Sequence, residues 1–323
     1  MKKKMIKYTK KPKLKSPYMI AAWPGMGNVA ARAVEFLWEQ LKPIEFAELS
    51  AEGFFYPHEA WIYNSQVEFP RLPTGKFYSW KNVKGKHDLI IFLCEAQPSL
   101  EKGYDYAQIV LDVAAAFNVK RVFTFASLPA PIDHTQESRV WATVTEKKMM
   151  KELDKMQVQP LRSGQISGLN GLLLSVAKER RIEGMCFLAE IPLYSIQIEN
   201  PKASKAVLSV FSKILNITLD FNGLDERAKI IEDEIEKLVD YFKTGNGLGP
   251  INEDDVENIK QTLAAVTKLP ESAKSKIEKL FHAVAKDLTL ANDLKKELDK
   301  WHIYKEYEDR FLDLFRPGDK DHN

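Results

Sequence analysis

Cysteine is scarce in this sequence. Only two of its 323 residues are cysteines, Cys94 and Cys186. They lie far apart and form no C-x-x-C pair, so neither a disulfide framework nor a thiolate zinc site is indicated. Each sits in an apolar run, Ile90–Cys94 and Met185–Leu188, where a buried free thiol is expected. Long hydrophobic runs are also missing. Nothing reaches the roughly 18–20 apolar residues of a membrane span, and no signal-peptide core follows the Lys-rich start. A cytoplasmic chain without a membrane partner is expected. An excess of one charge is absent too. The 47 basic and 45 acidic residues leave a formal net charge of +2, which argues against a nucleic-acid partner. Catalytic signatures are lacking: no G-x-S-x-G elbow, no H-E-x-x-H and no Walker lysine motif occurs. His58, His87 and His134 are scattered, each beside a turn residue. Only His134, which follows a strand and the turn Pro129–Asp133, is placed to reach a functional edge. No nucleophile, base and orienting group can be assembled by spacing. Neither a metal nor a cofactor is called for.

What is present is enough apolar material for a large core, 45% of residues. Basic residues cluster at the start, in Lys2–Lys4, Lys7, Lys10, Lys11, Lys13 and Lys15. Residues 1–17 read as a flexible basic arm, solvated or resting on a nucleic-acid or membrane surface. From Tyr18 to about residue 243, short apolar strands alternate with amphipathic helices. Strands are expected at Tyr18–Ala22, Ile44–Leu49, Asp88–Cys94, Arg121–Phe125, Val140–Thr145 and Met185–Ala189. Helices are expected at Val29–Leu41, Tyr104–Phe117, Leu169–Lys178 and Ala203–Leu215, with a hairpin-like excursion between Trp61 and Trp80. This alternation predicts βαβ units, a mostly parallel sheet and a three-layer αβα sandwich. Ligand-facing groups would then gather beyond the carboxyl ends of the strands. Thr244–Pro250 is a turn-rich break. Beyond it, 251–316 reads as a helical extension. A capped start at Asn252 leads to a stripe of Val256, Ile259, Leu263 and Val266. After Pro270 come Ile277, Leu280, Val284 and Leu288. Leu294, Leu298, Trp301, Tyr304, Phe311 and Leu314 form a third run.

Two glycine turns stand out. Gly25, Gly27 and Ala30, with Met26 and Asn28 between them, match the G-x-G-x-x-G/A spacing between a strand and a helix. Glu45 or Glu48 lies about twenty residues on. Three readings fit: a nucleotide on the helix amides, a small-anion site, or a turn that lets strand and helix pack closely. The second turn, Gly164–Leu174, carries Gly168, Asn170 and Gly171 into another helix. Two strands end in an acid near a proline, Glu95-Ala96-Gln97-Pro98 and Glu190-Ile191-Pro192. Asn28, Glu95, Gln97, Asn170 and Glu190 are therefore expected along one edge, either as a polar pocket or as capping and turn groups.

Taken together and in this order, these turns resemble the proteasome assembly chaperone family 2. The resemblance rests on Trp23–Ala30 with Glu45–Leu49, on Asp88–Phe92 with Glu95–Pro98, on Gly164–Leu174, and on Gly184–Pro192. It covers about Tyr18 to Phe242. It implies an αβα fold similar to the purine nucleoside phosphorylases and homo-oligomers, often trimers. It also implies binding of proteasome subunits during assembly. An ATP-grasp ligase label carried by some relatives finds no metal-binding acid set here. Archaeal members dock through a hydrophobic–Tyr–any-residue tail, whereas this chain ends Arg316–Asn323. The resulting expectation is a non-catalytic assembly chaperone or scaffold. The alternative is a nucleotide- or phosphate-binding enzyme, phosphorylase-, hydrolase- or ligase-like, using the Gly25–Ala30 turn.

Overall fold

The computed structural model describes residues 5–57, 60–63, 65–156, 158–244, 271–284, 287–300 and 304–315. His58, the turn at 245–250, the helix start at Asn252 with its stripe to Val266, Pro270, Trp301 and the terminal segment 316–323 lie outside them. The chain divides into two compact units, Met1–Lys260 and Gln261–Asn323.

The first unit is built on a nine-stranded sheet. Its strands are β1 (Ile6–Tyr8), β2 (Tyr18–Ala22), β3 (Ile44–Leu49), β6 (Gly75–Trp80), β7 (Leu89–Cys94), β8 (Arg121–Ala130), β9 (Val140–Val144), β10 (Gln159–Pro160) and β11 (Gly184–Pro192). Strands β4 (Trp61–Tyr63) and β5 (Gln66–Glu68) form a separate hairpin, with Ile62 opposite Val67. The order across the sheet is β1-β3-β6-β7-β2-β8-β11-β9-β10. The four central strands β7, β2, β8 and β11 are parallel. The flanks are not. Pairs β1/β3, β3/β6, β6/β7 and β9/β11 run antiparallel, so the mostly parallel sheet expected from the sequence is a mixed one. The reason lies in the connections. A parallel return needs a crossover of a dozen or more residues, usually a helix. No helix intervenes between β8 and β9 or between β6 and β7, among the described residues.

Helices cover both faces. Helices α2 (Gly103–Ala116) and α4 (Leu169–Glu179) pack together on one side, and α1 (Val29–Leu41) and α5 (Pro201–Leu215) on the other. Helix α3 (Met150–Met156) precedes β10, and α6 (Asn222–Thr244) lies against α5. The two-residue period of a strand divides the core between the layers. Met19, Ala21, Ile90, Phe92 and Val122 join Tyr106, Val110, Leu169 and Leu173 in one cluster. Phe123 and Phe125 face the opposite way and meet Phe211 of α5, with ring centroids 5.1 and 5.6 Å apart. Central strands covered on both faces read as unbroken apolar runs, which is why Leu89–Cys94 and Arg121–Phe125 are so legible.

The expected free arm over residues 1–17 is tied down from Met5 onward. Strand β1 pairs with Leu49, Glu48 and Ala47 of β3, and the Phe46 carbonyl accepts from Thr9 and Lys10. Ile6 and Tyr8 pack on the core while Lys7 between them points out. Short edge strands bearing Lys are a usual way to blunt a sheet edge.

The second unit contains α7 (Glu271–Val284), α8 (Ala291–Lys300) and α9 (Tyr304–Asp313) among its described residues. Ile277, Phe281, Val284, Ala291, Leu294, Leu298 and Phe311 form its buried cluster. Arg310 forks onto Glu278 with both contacts at 2.6 Å, and its guanidinium lies 4.2 Å from the Phe281 ring centroid. Leu288 leaves the expected stripe. It is half exposed in a short turn, where Asp287 accepts from the Thr289 amide at 3.0 Å.

Candidate functional site

The carboxyl ends of β2, β7, β8 and β11 define one rim of the sheet, and the glycine turns stand on it. Trp23 follows β2 and is fully buried. Gly25 is extended, whereas Gly27 (φ 61°) and Asn28 (φ 48°) are left-handed. That geometry turns the chain into α1, and glycine adopts it at no steric cost.

Asn170, buried at the start of α4, acts as a clamp. Its Oδ1 accepts from the Trp23 amide at 3.1 Å, and its Nδ2 donates to the Trp23 carbonyl at 3.0 Å. Gln97, in the turn after β7, ties the same elements together. Its Nε2 donates to the Pro24 carbonyl at 2.7 Å, and its Oε1 accepts from the Leu169 amide at 3.0 Å. The latter bond satisfies one of the donors left open at a helix start. Gly168 and Gly171 of the second turn are sterically required. Gly168 is left-handed (φ 73°) with Gln97 Nε2 at 3.1 Å from where a Cβ would sit, and at Gly171 a Cβ would fall 2.2 Å from the Ile166 carbonyl oxygen.

The rim thus gathers Gly25, Met26, Gly27, Asn28, Gln97, Gly168, Asn170 and Gly171. Glu95 and Glu190 also stand at carboxyl ends, of β7 and β11, but their side chains are engaged with other neighbours. Glu95 turns toward the start of β6. There Arg71 Nη2 approaches to 2.5 Å and the Thr74 amide donates at 2.8 Å. Partial burial would raise the Glu95 pKa, but these donors outweigh it and hold the carboxyl below its usual range. Glu190 is buried two strands away from β2, on the β9 side of the sheet. It accepts from Trp141 Nε1 at 2.9 Å, and Arg139 Nε lies 3.5 Å away.

The first turn fits a dinucleotide fingerprint in spacing but not in chemistry. Phosphate binding there needs amides that point at the ligand. The Gly27 amide instead donates to the Ile196 carbonyl at 2.7 Å, and the Asn28 amide to the Gly25 carbonyl at 2.9 Å. The Gly27 carbonyl accepts from Asn200 at 2.8 Å, and that of Met26 from the Ser127 hydroxyl. Gly27 is buried against Ile191, 3.2 Å from where a Cβ would sit. The turn is sewn to the segment after β11, and its Gly27 and Asn28 amides are spent inside the protein. Ile196, Asn200 and Ser127 carry no motif that could have announced this role.

His134 does lie on this rim, after β8. Its Nδ1 and its amide both lie 2.8 Å from the Tyr194 hydroxyl, and Lys202 Nζ donates to the Thr135 carbonyl at 2.8 Å. His87 lies at the opposite rim, stacked on Tyr18. Among the described residues, no group of three His, Cys, Asp or Glu could hold a metal ion. Among the same residues, no helix is long and apolar enough to cross a membrane.

The PAC2 family model matches residues 19–239, spanning every one of these turns. This chain belongs to the PAC2 family. The chain is similar to an uncharacterised protein of Methanocaldococcus jannaschii. The two are 28% identical over 248 residues, which is 75% of this chain and 92% of the other. Pyrococcus furiosus PbaB, described as an archaeal proteasome activator, is 32% identical with a TM-score of 0.63, covering 72% of this chain and 97% of PbaB. P. furiosus PbaA, described as an archaeal homologue of proteasome-assembly chaperone, is 21% identical with a TM-score of 0.58. The match covers 75% of this chain and 94% of PbaA, and it shows the shared PAC2 fold alone. The second unit, Gln261–Asn323, lies beyond the PAC2 match.

Proposed function

We propose that this PAC2 protein is a non-catalytic, protein-binding factor that docks through its carboxyl rim onto the proteasome or its assembling subunits. One observation carries the reading. The side chains of Gln97 and Asn170 and the amides of Gly27 and Asn28 are taken up by internal hydrogen bonds, while apolar side chains stand exposed around the rim. Leu100, just after β7, is 95% exposed, and Ile62, Val67 and Phe69 of the hairpin segment are about three-quarters exposed. Tyr56 and Tyr194 add two half-exposed rings. Apolar groups rimmed by polar surface suit contact with another protein. The likeness to PbaB supports the choice of partner.

The test mixes the purified chain with an archaeal proteasome core particle and, separately, with its free subunits, and weighs the complexes by native mass spectrometry. A complex with the finished particle and faster peptide hydrolysis would mark an activator. A complex with free subunits and faster particle formation would mark an assembly chaperone. No complex in either mixture at micromolar concentrations refutes the proposal. Phe69→Asp and Leu100→Asp, both on exposed side chains, are expected to weaken the complex without unfolding the chain. The same instrument reads the mass of the chain alone, and the homo-oligomer we propose, a trimer, appears there directly. Calorimetric titration with ATP and NAD is expected to be flat. Heat that vanishes in Gly25→Asp would instead favour a nucleotide site.

A further inference from the structure

The opposite rim, at the amino ends of the central strands, carries a different surface. Three loops meet there. The Asp88 amide donates to the Lys15 carbonyl at 3.1 Å, the Tyr18 amide to the Asp88 carbonyl at 2.9 Å, and the Lys120 amide to the Pro17 carbonyl at 2.8 Å. These bonds bring together Lys13, Lys15, Lys81, Lys84, Lys86 and Lys120, all exposed. Several other cations on this unit are matched, among them Arg32 with Glu199, Lys76 with Glu45, Arg180 with Asp112 and Lys205 with Asp225. Farther along the same rim, Arg121 and Lys148 are neutralised by Glu152 and Glu183. None of the six lysines has an ion pair among the described residues. Asp88 is the only acid in the three loops, and it is buried. Its oxygens accept from the Lys15 amide at 2.6 Å and the Asn82 amide at 3.0 Å. At the tip of the middle loop Val83 is 94% exposed, between Lys81 and Lys84.

Like charges left unmatched at one place call for an anionic partner. The details favour a polypeptide over a nucleic acid. Single strands bind through basic grooves interleaved with rings that stack on bases. The aromatic rings in these loops are already engaged, His87 stacked on Tyr18 with centroids 3.9 Å apart and Phe117 packed against Tyr8 and Phe46. An almost fully exposed valine amid the lysines contributes nothing to phosphate binding but suits an apolar side chain of a protein. We propose that the amino rim docks an acidic polypeptide segment of a protein partner, its carboxylates over the lysines and an apolar residue against Val83. This surface is separate from the carboxyl rim, and its test is independent of the proteasome reading.

Fluorescence anisotropy of the full chain with a labelled glutamate-rich peptide containing one leucine tests this. Binding is expected at low salt and should weaken steeply as salt rises. The triple variant K81E/K84E/K86E is expected to weaken it by about tenfold or more. The neutral triple K81Q/K84Q/K86Q, with an unchanged circular dichroism spectrum, provides the same reading if charge reversal disturbs the loop. Val83→Ser is expected to lower affinity for the leucine-bearing peptide but not for an all-glutamate one. The proposal is overturned by absence of peptide binding at low salt, or by triple variants that bind like the native chain. A single-stranded oligonucleotide of equal charge that binds more tightly than the peptide also overturns it.

Discussion

Asn170 concentrates the argument at the scale of single residues. Its amide matches both backbone groups of Trp23, much as a neighbouring strand would, and it does so in a buried place. Asn170→Ala leaves an N–H and a C=O without partners, each costing about 1–3 kcal/mol when buried. A loss of about 2–4 kcal/mol in urea denaturation is therefore expected, and an unchanged midpoint would show that the clamp is dispensable. The glycines separate structural need from resemblance to a fingerprint. Gly171→Ala places a Cβ 2.2 Å from the Ile166 oxygen and is expected to cost at least about 2 kcal/mol. Gly25→Ala meets only Asn170 Nδ2, at 3.7 Å, on an extended backbone. It is expected to stay within about 0.5 kcal/mol of the native chain. A dinucleotide site would need that first glycine, so the pair of measurements bears on function as well as on stability. Residue types and spacing were enough to bring Gln97, Asn170 and the glycines to one edge. They could not reveal what Glu95 and Glu190 bind, because their partners, Arg71 and Trp141, are set by sheet order.

Among the elements, the parallel strands and their helices were legible because burial on both faces leaves a continuous apolar signal. Strand β1 was not. Three residues with a lysine in the middle look like an arm until β3 supplies the partner. The antiparallel flanks were hidden for a related reason, since pairing direction follows from connections that carry no helix. One junction between elements makes a pH prediction. Glu183, just before β11, holds Lys148 at 2.7 Å and Arg121 at 2.8 Å. The Lys148 contact lowers its pKa most, partial burial opposes this, and Arg121 adds to the lowering. The folded protein therefore takes up this proton at a lower pH than the unfolded chain. The stability it contributes is complete above the ordinary carboxyl value of 4.5 and is lost as pH falls through the lowered one. Glu183→Gln should flatten the fall of melting temperature between about pH 5 and about pH 3. An unchanged acid limb would mean that other carboxylates govern it. Cys186 makes a parallel case. Burial pushes its thiol up to about 12, so it should resist alkylation at neutral pH until the sheet is unfolded.

On the scale of the whole molecule, both proposed docking surfaces fall in one of the two units. The PAC2 match ends at residue 239, inside α6, which runs to Thr244. Leu224, Ala228, Ile231 and Ile235 of α6 are buried within the first unit, whereas Gln261–Asn323 has its own buried cluster. Every exposed apolar residue invoked for docking, from Tyr56 to Tyr194, belongs to the first unit, as do the six lysines of the opposite rim. A chain ending at Thr244 keeps the apolar stripe of α6 covered and should fold as one cooperative body. Its near-ultraviolet dichroism should keep the signal of buried Trp23, and it should bind the proteasome as the full chain does. A truncated chain that folds but binds nothing would move the docking surface to the helical unit. A truncated chain that melts without cooperativity, its aromatic signal lost, would instead show that residues beyond Thr244 complete the core.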